Sequence, residues 1–250
     1  MSGHCFSGFM VVSPVIALIV SGTACFRAVA SEESSSEKTP SVVAKKQDPP
    51  VGTPIPPLPM FREGTVSIYL SPSTQEKNIG FGDFGTEELR MNEICDPLVE
   101  RLEARGVTVC RNRPDMALQA IVAESNAKKV NLHFAIHSNA FNEKVRGTEC
   151  FCYRFGGEGE RFARRVYEQI CAIYDGPRRG VKESADHFGK GKPLYETANP
   201  TAPAVLVEIA FHDQSDDAAW ILGNRDRIAE RLAAAVLLHL AAEHPDAVAP

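Results

Sequence analysis

Glu208 is the residue whose position most clearly indicates chemistry. It lies between Val207 and Ile209 in the apolar run AVLVEIAF, which is typical of a buried strand. Burying a carboxylate in such a run is costly unless the group is paired or bound to a ligand. A structural carboxylate paired with a basic residue is one interpretation of Glu208. The preferred interpretation is a functional carboxylate at the end of a strand.

Two further residues indicate a functional site only if their side chains lie close to Glu208 in the fold. His137 closes the apolar run 130–136 and is followed by Ser138 and Asn139. A histidine in this position is either a ligand, an acid or base, or a satisfied core residue. Glu88 lies in the first turn of a predicted helix, where an acidic residue commonly complements the helix dipole. Because sites in open α/β sheets lie at the carboxyl ends of strands, we expect these side chains to meet there.

The elements that must position these residues alternate between strands and helices. Short β-branched or apolar runs predict strands, and apolar residues recurring at spacings of three and four predict helices. This alternation predicts a single α/β domain with a mostly parallel central sheet and helices on both faces. We expect Pro97 to kink or split the first helix. The predicted strands cover 65–70, 107–110, 130–136, 147–153 and 204–211, and the predicted helices cover 87–105, 116–128, 160–174 and about 226–243.

The chain before residue 63 has a different composition from the rest. Residues 9–26 form a nearly continuous apolar run, and small residues at 28 and 30 precede a polar stretch. This pattern favours a signal peptide over residues 1–30, or an N-terminal anchor if the segment is not cleaved. Residues 31–62 are rich in proline and serine, which predicts a disordered linker. The catalytic domain is therefore expected at 63–250.

The net charge and the number of cysteines argue against nucleic-acid binding and against a disulfide scaffold. The net charge is −5 and the pI is about 5.8, so the basic excess typical of a nucleic-acid-binding protein is absent. The seven cysteines are too few for a disulfide scaffold, and their odd number leaves one thiol unpaired within the chain. We expect no nucleic-acid partner, contact with a membrane only through the N-terminal segment, and a monomer.

Four segments of the sequence resemble the zinc-dependent N-acetylmuramoyl-L-alanine amidases of the amidase_3 type, which are bacterial cell-wall hydrolases. The segments are GTEELRMN at 85–92, NLHFAIHSNA at 131–140, RGVK at 179–182 and APAVLVEIAFHD at 202–213. Their order and spacing resemble the family from residue 66 to about residue 240. The resemblance implies Glu88 and His137 as two metal ligands and Glu208 as the catalytic carboxylate.

The first zinc histidine of that family has no counterpart in this sequence. The family places it in the turn after the opening strand, where this chain has Thr74. A catalytic zinc normally takes three protein ligands and keeps one position open. His212 is the preferred third ligand, because it follows Glu208 by four residues just past the strand. Gln75, a water molecule and His187 are the alternatives, whereas His133 lies too far back along its strand.

The resemblance implies an enzyme that cleaves the amide between N-acetylmuramic acid and L-alanine of peptidoglycan by a zinc-activated water. Zn²⁺ is the expected cofactor, peptidoglycan is the expected partner, and the cell envelope or the extracellular space is the expected location. The alternative is a catalytically inactive, amidase-like protein that binds peptidoglycan. We also expect an open site, because the segment between His137 and Gly147 is too short for a blocking helix of three turns.

Overall fold

The structure, a computed structural model, describes residues 48–250. The predicted signal peptide or anchor at 1–30, and residues 31–47 of the predicted linker, lie outside the described residues. Among the described helices, none combines the length and the apolarity that crossing a membrane requires.

Six strands form one sheet in the order β2-β1-β3-β6-β4-β5. Within the described part of the chain, four neighbouring strand pairs are parallel, and only the pair β4 and β6 is antiparallel. The mostly parallel α/β sheet predicted from the alternating pattern is therefore confirmed. The strands are β1 (Ser67–Pro72), β2 (Thr108–Arg111), β3 (Leu132–Asn139), β4 (Thr148–Cys152), β5 (Arg178–Glu183) and β6 (Ala204–Phe211).

Five α-helices cover the two faces of this sheet. The helices are α1 (Glu87–Glu103), α2 (Leu118–Lys128), α3 (Glu158–Cys171), α4 (Tyr195–Ala198) and α5 (Ser215–Glu243). Helices α1 and α3 both pack against α5, and this layer forms the main apolar core with one face of the sheet. Helices α2 and α4 contact each other over the opposite face, where two smaller apolar clusters lie.

The first helix shows why an apolar stripe positions a site. Met91, Cys95, Leu98 and Leu102 are all buried, at helical spacing on one side of α1. Thr86 caps the helix, because its hydroxyl accepts a hydrogen bond from the amide of Leu89 at 3.2 Å. The stripe fixes the rotation of the helix against the sheet, so it also fixes which residues of the first turn face inward.

The structure differs from the sequence analysis at four elements: two helices with different courses or bounds, and two elements that were not predicted. The helix α1 continues through Pro97 and is not split, since it is a single element from Glu87 to Glu103. Helix α5 begins at Ser215, eleven residues before its predicted start at about residue 226, and the side chain of Gln214 caps it. Strand β5 and the short helix α4 were not predicted. Both have polar sequences, which carry little apolar periodicity.

The folded part also begins earlier than residue 63. The amide of Gly52 donates a hydrogen bond to the carbonyl of Ala172 at 2.7 Å. The side chain of Arg231 donates to the carbonyl of Thr53 at 2.7 Å. Residues 48–62 of the predicted linker therefore lie against the domain. Their prolines limit regular structure, but their carbonyl groups still accept hydrogen bonds from other parts of the chain.

Candidate active site

Three polar side chains form a row across the sheet. His137 on β3 pairs with Glu208 on β6, and Glu208 pairs with Glu149 on β4. Residues paired in neighbouring strands point to the same face, so all three project toward the face that carries α4. The row lies at the carboxyl end of β3 and β6, where sites of α/β sheets are expected.

Helix α1 brings a carboxylate to this row from the edge of the sheet. Glu87 is fully buried, and its Oε1 accepts hydrogen bonds from Nδ1 of His137 at 2.8 Å and from the amide of Ser138 at 3.3 Å. Its Oε2 accepts from Nδ2 of Asn78 at 2.7 Å. Burial is the largest single influence and raises the pKa of Glu87, but the hydrogen bond and charge of His137, together with His212 and Ser73, outweigh it and the net pKa is lowered.

A second carboxylate faces the other ring nitrogen of His137. Oε2 of Glu196, on helix α4, lies 3.5 Å from Nε2 of His137. Oε1 of Glu196 is 3.2 Å from Nε2 of His133 and also accepts a hydrogen bond from the hydroxyl of Ser71. Burial opposes ionisation, but the two histidines lower the pKa of Glu196 to about 2. His137 is therefore held between two buried carboxylates.

The carboxylates around His137 favour the protonated form of its ring. Burial alone lowers the pKa of this imidazole, but the hydrogen bonds to Glu196 and Glu87 raise the pKa well above the ordinary value. The same two contacts fix the orientation of the ring. His137 thus has a hydrogen bond from Nδ1 to Glu87 and a carboxylate oxygen of Glu196 at 3.5 Å from Nε2.

The pKa of Glu208 is raised, unlike the lowered pKa values of Glu87 and Glu196. Its Oε2 is buried and has no hydrogen-bond partner among the described residues. Burial raises its pKa to about 8, and the neighbouring carboxylates of Glu87 and Glu149 act in the same direction. The charge of His137 opposes this rise only in part. A carboxyl group with a pKa near neutrality can both accept and donate a proton at physiological pH.

The structure does not bring Glu88 to this cluster. Glu87 and not Glu88 contacts His137. The backbone carbonyl of Glu88 accepts a hydrogen bond from Nδ2 of Asn92 at 2.8 Å. Adjacent helix residues point about 100° apart, so only one of the two glutamates can continue the buried stripe.

His212 also lies away from His137, on the other face of the sheet. His137 pairs with Glu208 while Asn139 pairs with Phe211, so between these pairs one residue of β3 faces two of β6. This bulge reverses the alternation of β6 after Glu208. His212 consequently points toward α1, where its Nδ1 is 2.8 Å from the hydroxyl of Ser138 and its ring stacks on Phe84. Burial lowers its pKa.

The turn after β1 brings the hydroxyl group of Ser73 to this cluster. The amide of Ser73 donates to the carbonyl of Ile136, which places Ser73 beside His137. Ser73 is buried, and its hydroxyl donates to the Glu87 carboxylate and thereby lowers the pKa of Glu87. The neighbouring Thr74 is partly exposed and Gln75 is exposed. Ser73 is therefore the residue of this turn that faces the cluster.

Two other histidines have separate contacts. His133 is buried, with Nδ1 at 3.0 Å from the hydroxyl of Ser125 and Nε2 at 3.2 Å from Glu196. His187 is exposed in the loop after β5, where its ring packs edge-on against Phe151 at 4.9 Å between ring centres. Neither histidine contacts His137.

The donor atoms around His137 fit two ligands of a metal ion. Nδ1 of His137 and Oε1 of Glu87 face each other, while the Glu196 carboxylate lies beside Nε2. A metal-bound imidazole commonly has a carboxylate at its other nitrogen. Glu208 adds a buried carboxyl oxygen without a partner in the described part of the chain. Within residues 48–250, however, no group of three His, Cys, Asp or Glu side chains is arranged to hold a metal.

Sequence reasoning missed Glu87, Glu149 and Glu196. A signal for Glu87 was present, because it lies four residues before Met91 and so extends the buried stripe of α1, whereas Glu88 does not. Glu149 alternates with the buried Thr148 and Cys150, which placed it on a sheet face. Glu196 lies in a four-residue helix within a loop, and no periodic pattern marks it.

Comparison with known proteins identifies relatives of this chain. The family model Amidase_3, described as N-acetylmuramoyl-L-alanine amidase, matches residues 68–237. An uncharacterised protein of Clostridium perfringens is 27% identical over 140 residues, which are 52% of this chain and 39% of that protein. The chain therefore spans about two fifths of the length of this curated relative.

Solved structures with the same fold include the following three proteins. The N-acetylmuramoyl-L-alanine amidase AmiC2 of Nostoc punctiforme is 22% identical, with a TM-score of 0.61 over 71% of this chain and 98% of that chain. An N-acetylmuramoyl-L-alanine amidase of Clostridium difficile is 18% identical, with a TM-score of 0.62 over 71% of this chain and 98% of that chain. Cwp6 from Clostridium difficile is 26% identical, with a TM-score of 0.60 over 74% of this chain and 29% of that chain.

Proposed function

This chain belongs to the Amidase_3 family of N-acetylmuramoyl-L-alanine amidases, and from this membership we propose that it cleaves the amide between N-acetylmuramic acid and L-alanine of peptidoglycan. The observation that carries the proposal is the row of His137, Glu208 and Glu149, with an unpartnered buried oxygen on Glu208 among the described residues. Amide hydrolysis needs a group that takes a proton from water and a proton donor for the leaving nitrogen. One carboxyl group with a pKa near neutrality serves both steps.

Glu208 is the proposed acid and base. Its Oε2 would accept the proton of the attacking water and then donate it to the nitrogen of L-alanine as the amide breaks. The neighbouring Glu149 does not compete for this role, because its two oxygens already accept from Asn139, Arg179 and Lys182. Glu87 and Glu196 keep His137 in one orientation beside Glu208.

We propose zinc as the cofactor, held by Glu87 and His137. A bound zinc ion would polarise the scissile carbonyl and lower the pKa of a water molecule toward about 7. Ser73 is hydrogen-bonded to Glu87, and it offers only a hydroxyl as a third protein ligand. We therefore expect weaker zinc binding than in a site with three protein ligands, with water in the remaining positions.

We also propose that the protein acts outside the cytoplasmic membrane. Peptidoglycan lies there, and the apolar run at residues 9–26 has the composition of an export segment. Sequencing the amino terminus of the protein recovered from the cell envelope tests this proposal. A mature terminus at Ser31 would support cleavage after Ala30, and a terminus at Met1 would support an anchor.

The experiment for the proposed activity uses the purified full chain with added zinc and isolated peptidoglycan. Cleavage at the proposed bond releases stem peptides with a free L-alanine amino group, which amine labelling and mass spectrometry identify. Glu208→Gln is the matched variant, because it keeps the volume and removes the titrating group. We expect its turnover to fall by a factor of roughly 100 to 10,000. Binding to peptidoglycan without any release would instead indicate the inactive alternative.

A further inference from the structure

Two cations lie beside the row that contains Glu208, and the proposed acid–base step does not use them. Nε of Arg179 donates a hydrogen bond to Oε2 of Glu149 at 3.0 Å, and the ammonium group of Lys182 donates to the same oxygen. Oε1 of Glu149 accepts from Nδ2 of Asn139 at 2.9 Å. Two positive charges therefore share a single carboxylate, which leaves a net positive charge at this point.

The two cations are ordered but still reach solvent. The guanidinium group of Arg179 lies over the ring of Phe211 at 5.2 Å, and the ammonium group of Lys182 lies over the ring of Phe151 at 5.6 Å. Their side chains are 34% and 40% exposed, whereas the side chain of Glu149 is only 4% exposed. Cation–π contacts and the buried carboxylate fix the positions of the two charges, while their outer surfaces stay open.

Gly180, between the two cations in sequence, leaves space next to them. It pairs with Glu149 across the sheet and has a φ of +88°, which disfavours any side chain. No heavy atom lies within 4 Å of the position that a Cβ would take at Gly180. The backbone of β5 is therefore accessible between Arg179 and Lys182.

The two cations lie within the length of two extended residues of Glu208. Arg179 and Lys182 both donate to Glu149, which pairs with Glu208 on the neighbouring strand, and neighbouring strands are about 4.8 Å apart. An extended peptide advances roughly 3.3 to 3.6 Å per residue, so two residues span about 7 Å. A stem peptide with its first amide at Glu208 can therefore place the carboxylate of its second residue near the two cations.

We propose that Arg179 and Lys182 form a subsite that binds the free carboxylate of the second stem residue, and that this subsite discriminates D-glutamate from its amide at that position. The inference rests on the proposed function, since it assigns the stem peptide to the same cleft. Paired cations bind a carboxylate through charge-assisted hydrogen bonds. A neutral carboxamide offers one oxygen without charge and adds an NH₂ group that faces two cations.

Two synthetic substrates test the subsite directly. N-acetylmuramoyl-L-alanyl-γ-D-glutamyl-L-lysine and its D-isoglutaminyl counterpart differ only in the carboxylate and the carboxamide, because the γ-carboxyl group of the second residue is in an amide bond in both. With the full chain and zinc, we expect kcat/KM to be at least about 10-fold higher for the carboxylate substrate, mainly through a lower KM. Lys182→Gln should reduce this ratio to about 2 or less. Lys182→Arg keeps the positive charge and should retain most of the ratio.

Lys128→Gln is the matched control. Lys128 ends helix α2 near the start of β3, at the edge of the sheet away from His137, so its loss should leave the ratio unchanged. Equal kcat/KM for the two substrates in the unchanged protein would refute the subsite. A Lys182→Gln variant that loses activity equally on both substrates would also refute it, and would assign Lys182 to the support of Glu149. If neither substrate is cleaved, the proposed function itself fails.

Discussion

Nδ1 of His137 donates a hydrogen bond of 2.8 Å to Oε1 of Glu87, across a sequence separation of 50 residues. This contact joins the end of a central strand to the first turn of α1. Glu88, the next residue, continues in a different direction around the helix. The pair Glu87 and Glu88 therefore offers two isosteric substitutions that differ only in their orientation toward the site.

Glu87→Gln and Glu88→Gln should have different effects on zinc binding. Glu87→Gln removes a proposed ligand, so we expect zinc affinity to fall by more than about 100-fold, beyond the usual effect of an outer-shell residue. Glu88→Gln should change zinc affinity by less than about 3-fold on the same basis. Isothermal titration with zinc measures both. A larger loss in Glu88→Gln than in Glu87→Gln would support the assignment drawn from the family spacing.

Ser73→His should strengthen zinc binding. Ser73 faces Glu87 and His137, so an imidazole there would supply the third protein ligand that a catalytic zinc normally has. We expect affinity to rise at least about 10-fold, since even outer-shell residues change it by about 10- to 100-fold. Thr74→His is the control, because Thr74 is more exposed than Ser73. If Thr74→His binds zinc more tightly, Thr74 occupies the histidine position.

Glu196→Gln should weaken the site without removing a proposed ligand. The carboxylate faces Nε2 of His137 at 3.5 Å, and its replacement by an amide removes the charge that holds this ring. We expect zinc affinity to fall by about 10- to 100-fold. Glu124→Gln is the control, because Glu124 accepts a hydrogen bond from the hydroxyl of Tyr69 and touches no site histidine. Equal zinc affinities in the two variants would contradict a positioning role for Glu196.

Glu208 should make the metal-free protein less stable as the pH rises. Its pKa is about 8 in the folded state, whereas the ordinary pKa of an unburied glutamate is 4.5, so between these values the folded protein binds more protons than the unfolded chain. Stability from this group therefore falls as pH increases through that window, with a slope of up to about 1.4 kcal/mol per pH unit. Glu208→Gln removes the titration.

The measurement is the difference in Tm between Glu208→Gln and the unchanged protein at pH 5 and at pH 8, with a chelator present. We expect the Tm of Glu208→Gln, relative to that of the unchanged protein, to be higher at pH 8 than at pH 5. Glu124→Gln provides a second comparison away from the row. A difference that stays constant with pH would show that burial does not hold Glu208 in its protonated form.

The sequence by itself determined the type of fold and the residues at the strand ends. Periods of two and of three to four residues are local properties, so β3, β6, α1 and α3 could be predicted from their apolar patterns. His137 and Glu208 were placed at the same edge of the sheet because parallel strands end together. The polar strand β5 and the short helix α4 have no such pattern, and they became visible only through their tertiary contacts.

Only the tertiary structure decided which side chains meet. The rotation of α1 against the core selects Glu87 over Glu88, and one extra residue in β6 moves His212 to the face opposite His137. Both outcomes depend on a shift of a single residue. Counting residues along the sequence does not predict such a shift. Glu196 reaches His137 from a loop whose path is fixed by long-range packing. Local periodicity therefore determines the elements, whereas helix rotation, strand register and loop path determine the site.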